Sequence, residues 1–370
     1  MGHSRPLACR DARSTVRPVR RRRVAIPVEV ASYPANSGVG RMWYGMLTEL
    51  RREIAVRVVG VGGRRARLWR PHVWLQDGHR GSLPVKTPWV AALYEAAWDR
   101  PETRDLLDPD FVSRYATLSR AAALRAARIV TLSESSRRQI LESYGVQPAR
   151  VLVARPGVNP AVFRPDAHGG PEVIARAGGD PGRPYVLCVS QLHPRKNLSV
   201  LQQAMSRLAG RGYPQVLAVV TSPRTDSRQS GAMNPGELGT ILPEPACGNG
   251  SILRLESLTD DELAAVMTGA SAFCLPSLME GFGFPALEAM ACGVPVVVSD
   301  RGALPEVVGS AGIVTAPTAD AMEEALETVL VDEARARELS AAGVERSRKF
   351  TWRATAQVWL RAIQEAMACG

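Results

Sequence analysis

The sequence predicts two doubly wound α/β domains facing a cleft, on three observations. Short apolar runs alternate with helical patterns along the whole chain. A Pro- and Gly-rich stretch, residues 156–184, divides that alternation in two as a linker and hinge would. At 370 residues and 45% hydrophobic content, the chain is long enough to fill two cores.

Residues 1–22 read as a disordered, Arg-rich tail. The apolar run after it is too short, and too broken by Pro27 and Glu29, for a signal-peptide core, so it reads as the first strand, over 24–30. Further strands are expected over 56–60, 72–75, 89–93 and 129–132, then over 185–189, 216–221, 252–255, 272–276 and 294–299. A helix after Ser133 should stop at Gly145, and Thr259 with Glu262 forms a capping box ahead of an apolar turn. Residues 222–250, rich in Pro, Gly and Ser, read as a mobile surface loop. Helices follow over 322–331 and 332–348, and a last one over 352–368 carries Trp359, Ile363 and Met367 on one face. The expected division is 23–165 and 166–351, and the final helix, within 352–370, needs a surface to pack on.

No apolar run approaches the roughly 18 residues of a membrane span, so none is expected. The six cysteines include no C-x-x-C pair, and Cys188, Cys274 and Cys292 lie in apolar segments; buried thiols and a cytoplasmic setting fit this usage. Net charge is +10, but residues 1–165 hold 29 Lys and Arg against 13 Asp and Glu, while the remainder holds 17 against 23. The basic half has neither zinc-ligand spacing nor an aromatic platform, which argues against a nucleic-acid partner. It points instead to an anionic acceptor, or to peripheral contact with the inner face of an anionic membrane.

The densest chemistry lies at Glu280-Gly-Phe-Gly-Phe-Pro-Ala-Leu-Glu288, between a strand and a helix. Gly281 and Gly283 allow close backbone approach, Pro285 suits a first helical turn, and the amides of 286–288 are expected to offer N–H groups to an anion. Glu280 and Glu288 would then meet different hydroxyls of one molecule, and an apposed phosphate with two hydroxyl-binding carboxylates suggests a nucleotide sugar. Upstream, Arg195 and Lys196 follow the strand over 185–189, where open α/β sheets bind ligands, and fixed cations there stabilise a departing diphosphate. Asn36-Ser-Gly-Val-Gly40-Arg41 joins the first strand to a helix and offers N–H groups to a phosphate or the acceptor.

This segment, with 288–299, His193-Pro-Arg-Lys-Asn197, 301–308 and more weakly 155–165, closely resembles the donor half of family 4 retaining glycosyltransferases. The resemblance implies the GT-B fold, with the C-terminal helix crossing back to an acceptor-binding N-terminal domain. It implies that Arg195 and Lys196 contact the diphosphate, Glu280 the sugar and Glu288 the ribose. The donor set it suggests is Ser190, Phe282, Gly283, Phe284, Ala286, Leu287 and Glu288, with Gly38, Gly40, Tyr94 and Glu95 on the acceptor side. Two positions depart from the family. Tyr94-Glu95 stands where many members have His-Asp, so that role is absent, modified, or taken by His79 or His72. Ser190 stands where a glycine usually precedes the Arg-Lys turn.

The expected activity is metal-independent, configuration-retaining transfer of a hexose from a UDP- or GDP-linked donor to a hydroxyl of a glycan, lipid-linked or small-molecule acceptor. The nucleotide sugar is a co-substrate, no resident cofactor is expected, and no Asp-x-Asp follows a strand as in metal-dependent transferases. A nucleotide-sugar-binding protein and a sugar-nucleotide epimerase of the same shape are the alternatives; oligomeric state is not readable.

Overall fold

The computed structural model describes residues 23–27, 33, 37–59, 61, 69–96, 106, 108–221 and 252–368. The expected tail over 1–22 and loop over 222–250 lie outside the described residues, as do Cys9, Cys247 and Cys369.

The first half builds β1 (Arg23–Pro27), α1 (Gly38–Glu53), β2 (Ala55–Val59), β3 (Val73–Asp77), β4 (Trp89–Ala92), α2 (Pro109–Arg125), β5 (Arg128–Thr131), α3 (Glu134–Tyr144) and β6 (Val151–Val153). Its strands lie in the order β2-β1-β3-β4-β5-β6, every pairing parallel. After α4 (Gly170–Arg176) come β7 (Tyr185–Val189), α5 (Leu198–Gly210), β8 (Val216–Thr221), β9 (Ile252–Glu256), α6 (Asp260–Thr268), β10 (Ala272–Leu275), α7 (Phe284–Ala291), β11 (Val296–Ser299), α8 (Leu304–Val308) and β12 (Ile313–Thr315). This second sheet runs β12-β11-β10-β7-β8-β9, again all parallel. Strands buried on both faces read as continuous apolar runs, which made the inner strands legible, and the edge strands β2 and β9 were legible as well, so ten of the twelve were read in sequence. The two that were not, β6 and β12, have three residues each and sit at sheet edges, and β12 is only partly buried.

Strand order reverses between β1 and β3 in the first sheet and between β7 and β10 in the second. Loops leaving neighbouring strands there diverge to opposite faces and open a crevice at the carboxyl ends. Both crevices face the same cleft.

Local signals behave as their chemistry dictates. Ser133 caps α3 by accepting from the Ser136 N–H at 3.0 Å, and Gly145 ends it at φ 63°. In the Thr259 capping box, Thr259 Oγ1 accepts from Glu262 N at 3.2 Å and Glu262 accepts from Thr259 N at 2.9 Å. Cys188, Cys274 and Cys292 are buried, and burial pushes the Cys188 thiol up to about 12.

The chain closes on itself through α9 (Ala319–Val331), α10 (Glu333–Ser347) and α11 (Trp352–Ala368). Helix α11 crosses back to the first half, where its Trp359 ring meets Trp43 of α1 with centroids 5.5 Å apart. Two strands of chain cross side by side between the halves: Val158 donates to Phe350 O at 3.2 Å, and Thr355 Oγ1 to Arg155 O at 2.6 Å. Trp359 and Ile363 are fully buried and Met367 is partly buried, as the helical spacing predicts. Trp359→Ala should therefore cost about 3–5 kcal/mol, measured as a lowered urea midpoint; a loss below about 1 kcal/mol would mean that α11 is not a structural part of the first half.

Candidate functional site

Residues from the carboxyl ends of both sheets line a cleft of about 370 Å³. After β7, His193 turns the chain: its Nδ1 accepts from Arg195 N at 3.1 Å, fixing a 3-10 turn at Pro194–Lys196 that aims both cations at the loop leaving β10. Lys196 Nζ donates to Glu280 Oε1 at 2.5 Å, and Arg195 donates to the Met279 carbonyl at 2.9 Å while lying 3.7 Å from Glu280 Oε2. Ser277 Oγ adds a 2.7 Å bond to Glu280 Oε1. Burial alone would raise the Glu280 carboxyl, but Lys196 and Arg195 outweigh it and hold the group below its ordinary value. Burial lowers Lys196 despite Glu280. Asn197 ends this turn, but its amide does not cap α5; it bonds the carbonyls of Pro276 at 3.2 Å and Pro317 at 3.1 Å, tying the β7 loop to the β10 loop.

The two glycines of the Glu280–Gly283 loop are required for different reasons. Gly283 has φ 101°, and a Cβ there would sit 2.6 Å from Leu304. At Gly281 a Cβ would come within 2.9 Å of the Tyr94 carbonyl and 3.2 Å of Glu95 Oε2. The loop is thus pressed against the first half of the chain. Its Gly281 carbonyl accepts from Ser133 Oγ at 2.9 Å and Ser136 Oγ at 3.1 Å, while Gln139 Nε2 reaches Met279 Sδ at 3.4 Å. Beside them Glu306 accepts from the Glu134 N–H at 2.8 Å, at the positive end of α3, and pairs with Arg155 at 2.8 Å.

Glu288 is buried one turn into α7 and pairs with Arg41, which rises from the first turn of α1 on the other side of the cleft and also holds Asp260 at 2.5 Å. Arg41 was the residue that sequence reasoning missed: it stood in the quoted Gly-Val-Gly-Arg turn, but nothing local connects it to a carboxylate 247 positions away. Burial pushes Glu288 up to about 7, against the attraction of Arg41 and with Asp260 adding to the rise.

Arg195, Lys196, Glu280, Ser190, Phe282, Gly283, Phe284, Glu288, Gly38, Tyr94 and Glu95 all line the cleft. Several expectations need correction. Ala286 and Leu287 are fully buried, and both N–H groups already bond to Gly283 O, at 3.1 and 3.3 Å, so the first turn of α7 satisfies itself. Gly40 is buried, and its N–H donates to Ser37 Oγ at 3.0 Å, so it is not offered to a phosphate. Phe282 and Phe284 pack edge-on, centroids 5.3 Å apart, and continue into Phe350 and Trp352. Tyr94 bonds Trp43 Nε1 at 2.8 Å through its hydroxyl. Neither proposed histidine reaches the cleft. His72 accepts from Arg23 N at 3.2 Å at the amino end of β3, the wrong end of the sheet. His79 sits beneath Tyr94, with Nε2 facing the Tyr94 N–H at 3.3 Å and Nδ1 facing Ser119 Oγ at 2.8 Å, and burial lowers it. Among the described residues no group of three or more His, Cys, Asp or Glu is placed to hold a metal, and no helix is long and apolar enough to cross a membrane.

Residues 183–332 match the family described as Glycosyl transferases group 1. The chain is 30% identical over 314 residues to the alpha-maltose-1-phosphate synthase of Mycolicibacterium smegmatis, spanning 80% of this chain and 78% of that protein. It is 30% identical over 292 residues to the serotype-specific mannosyltransferase WbdA of Escherichia coli, spanning 76% of this chain but 34% of that longer one. HepE of Anabaena, solved in complex with UDP-glucose, superposes with a TM-score of 0.69 at 16% identity over 94% of this chain and 100% of its own.

The resemblance implies that Glu288 meets the ribose, and a carboxylate in that role would have to ionise to accept its hydroxyls, which would make binding pH-dependent. Because Glu288 is raised, it is protonated below about 7, so nucleotide affinity should rise as pH rises through 7 and then level off. The same shift means that Glu288 favours the folded state fully at low pH and that this contribution is lost as pH climbs from the ordinary carboxyl range to about 7. Glu288→Gln should flatten both profiles; titration calorimetry and urea melts across pH 5–8.5 check it, and wild-type profiles already flat over that window would refute the assignment. Strand order, cleft geometry and sequence match agree: the chain belongs to the group 1 glycosyltransferases of family 4 type, with the GT-B fold.

Proposed function

We propose that this protein is a retaining hexosyltransferase that moves a sugar from a UDP- or GDP-linked donor to a hydroxyl of an acceptor, without a divalent metal. The observation that carries the reading is the Arg195–Lys196–Glu280 cluster at the β7/β10 crevice, with Glu288 eight residues further on. The donor diphosphate competes for Arg195 and Lys196 and takes them from Glu280. Glu280 is then free to accept from hydroxyls of the sugar while Ser277 still holds it. Glu288 receives the ribose once Arg41 gives way, and the base enters the slot between Val189, Val220, Thr221 and Leu258 at the ends of β7, β8 and β9.

The sugar then lies between the Gly281–Gly283 backbone and Tyr94-Glu95. As the anomeric C–O bond breaks, its electron pair goes to the diphosphate oxygen, whose charge Arg195 and Lys196 neutralise in a partly dry cleft. The acceptor oxygen bonds the anomeric carbon on the face the diphosphate leaves, and its proton passes to the departing phosphate, so configuration is kept and no protein nucleophile is needed. In the UDP-glucose complex of HepE a similar fold holds a nucleotide sugar, which supports the donor class. Among the described residues, the charges that the first half brings to the cleft wall are Arg41 and Glu95.

Thermal unfolding with UDP, GDP, ADP and dTDP should show one diphosphate raising Tm by a few degrees, as about 2.7 kcal/mol of stabilisation at 100-fold excess over Kd requires. Arg195→Ala/Lys196→Ala should abolish the shift and lower turnover of the matching nucleotide sugar by about 10²–10³. Turnover should survive EDTA, and the product anomer read by NMR should match the donor. A folded chain stabilised by no nucleotide would overturn the reading; a nucleotide shift with no transfer to any acceptor would favour a binding protein.

A further inference from the structure

We infer that Glu95 selects an acceptor carrying a protonated amine next to the hydroxyl that is glycosylated, an inference that rests on the glycosyltransferase reading above. Glu95 follows the end of β4 and lines the cleft; the residue is 91% buried, while its carboxylate oxygens are not sealed from the cleft. Oε2 points at the Gly281 end, 3.2 Å from where a Cβ on that glycine would stand, and so flanks the place proposed for the transferred sugar. Among the described residues no hydrogen bond or ion pair reaches this carboxylate. The other cleft carboxylates are both held: Glu280 by Lys196 and Ser277, Glu288 by Arg41. A carboxylate on so largely buried a residue loses most of its water once a ligand fills the cleft, which is costly unless a donor meets it, and a charged donor meets it best.

The charge inventory of the wall says which donor. Among the described residues, three cations (Arg41, Arg195, Lys196) face three carboxylates (Glu95, Glu280, Glu288), and Asp260 already shares Arg41. Lys196 is near enough to Glu95 for their charges to interact, but a bound diphosphate claims Lys196 and Arg195 and brings more negative charge than it finds unmatched. The donor-loaded cleft is therefore short of positive charge, and Glu95 stands on the acceptor side of it. A hydroxyl would satisfy one lone pair of Glu95; an ammonium satisfies the carboxylate and corrects the imbalance. Among the described residues of the basic N-terminal half, no arginine other than Arg41, which is held by Glu288 and Asp260, lines the cleft beside it.

The test uses the full chain saturated with the nucleoside diphosphate that stabilises it, titrated with glucosamine, N-acetylglucosamine and glucose at a pH where glucosamine is protonated. Glucosamine should bind at least about tenfold more tightly than either neutral sugar, the worth of one charge-assisted hydrogen bond. In Glu95→Gln that preference should fall to about onefold, with nucleotide affinity measured in the same titration as proof of an intact donor site; Glu95→Asp should restore part of it. Equal affinity for the three sugars, no affinity for any, or a preference unchanged in Glu95→Gln overturns the inference while leaving the donor reading intact. Failure of every nucleoside diphosphate to bind the wild-type chain removes both.

Discussion

Two serine hydroxyls, from the cap and the first turn of α3, converge on the Gly281 carbonyl of the other half, and the position of the Glu280–Gly283 loop depends on that convergence. A carbonyl has two lone pairs, and both are used here by the facing domain rather than by water. Each such bond contributes only about 0.5–1.5 kcal/mol net. What makes the pair decisive is where it acts: on the residue next to Glu280, in a loop with no side chain at Gly281 to prop it. The same seam brings Tyr94 and Glu95 against that glycine and sets the Glu306 carboxylate on the amino end of α3. The donor site therefore belongs to neither half alone.

Charge in the cleft is arranged as exchangeable pairs. Lys196 on Glu280 and Arg41 on Glu288 each keep a buried carboxylate from standing unpaired, and breaking such a pair without a replacement is strongly unfavourable. A nucleotide sugar offers the replacement: phosphate for the cations, hydroxyls for the carboxylates. The pairs also differ. Lys196 and Arg195 overcome burial at Glu280, whereas burial overcomes Arg41 at Glu288, so Glu280 is held in its ionised form and Glu288 is the group that titrates near neutrality.

Much of this was legible in sequence where the physics is local. Glu280, Gly281, Gly283 and Glu288 lie on one strand, loop and helix, so their spacing alone places them, and the buried parallel strands announce themselves as apolar runs. The Thr259 capping box and the Ser133 to Gly145 helix were readable because caps are made within a few residues. What was hidden is what folding brings together: Arg41 opposite Glu288, Ser133 and Ser136 on Gly281, and His79 beneath Tyr94, where a histidine that sequence offered as a substitute for the family's cleft residue becomes a support for the loop. The amides of Ala286 and Leu287 were overcounted because sequence cannot show that Gly283, in a left-handed conformation, turns its carbonyl back to accept from both. A charge count, for a related reason, places no charge: it records how many arginines a half contains and not which face they occupy.

The measurement that bears most directly on a donor site shared between the halves is the kinetics of Ser133→Ala/Ser136→Ala, read beside nucleoside diphosphate affinity. With the nucleotide bound as proposed, chiefly to the second half, its affinity should hold within about threefold, while loss of two hydrogen bonds to the loop beside Glu280 should lower kcat by about tenfold or more. Equal losses in nucleotide affinity and kcat, or no loss in either, would contradict the claim that the first half positions the catalytic loop of the second.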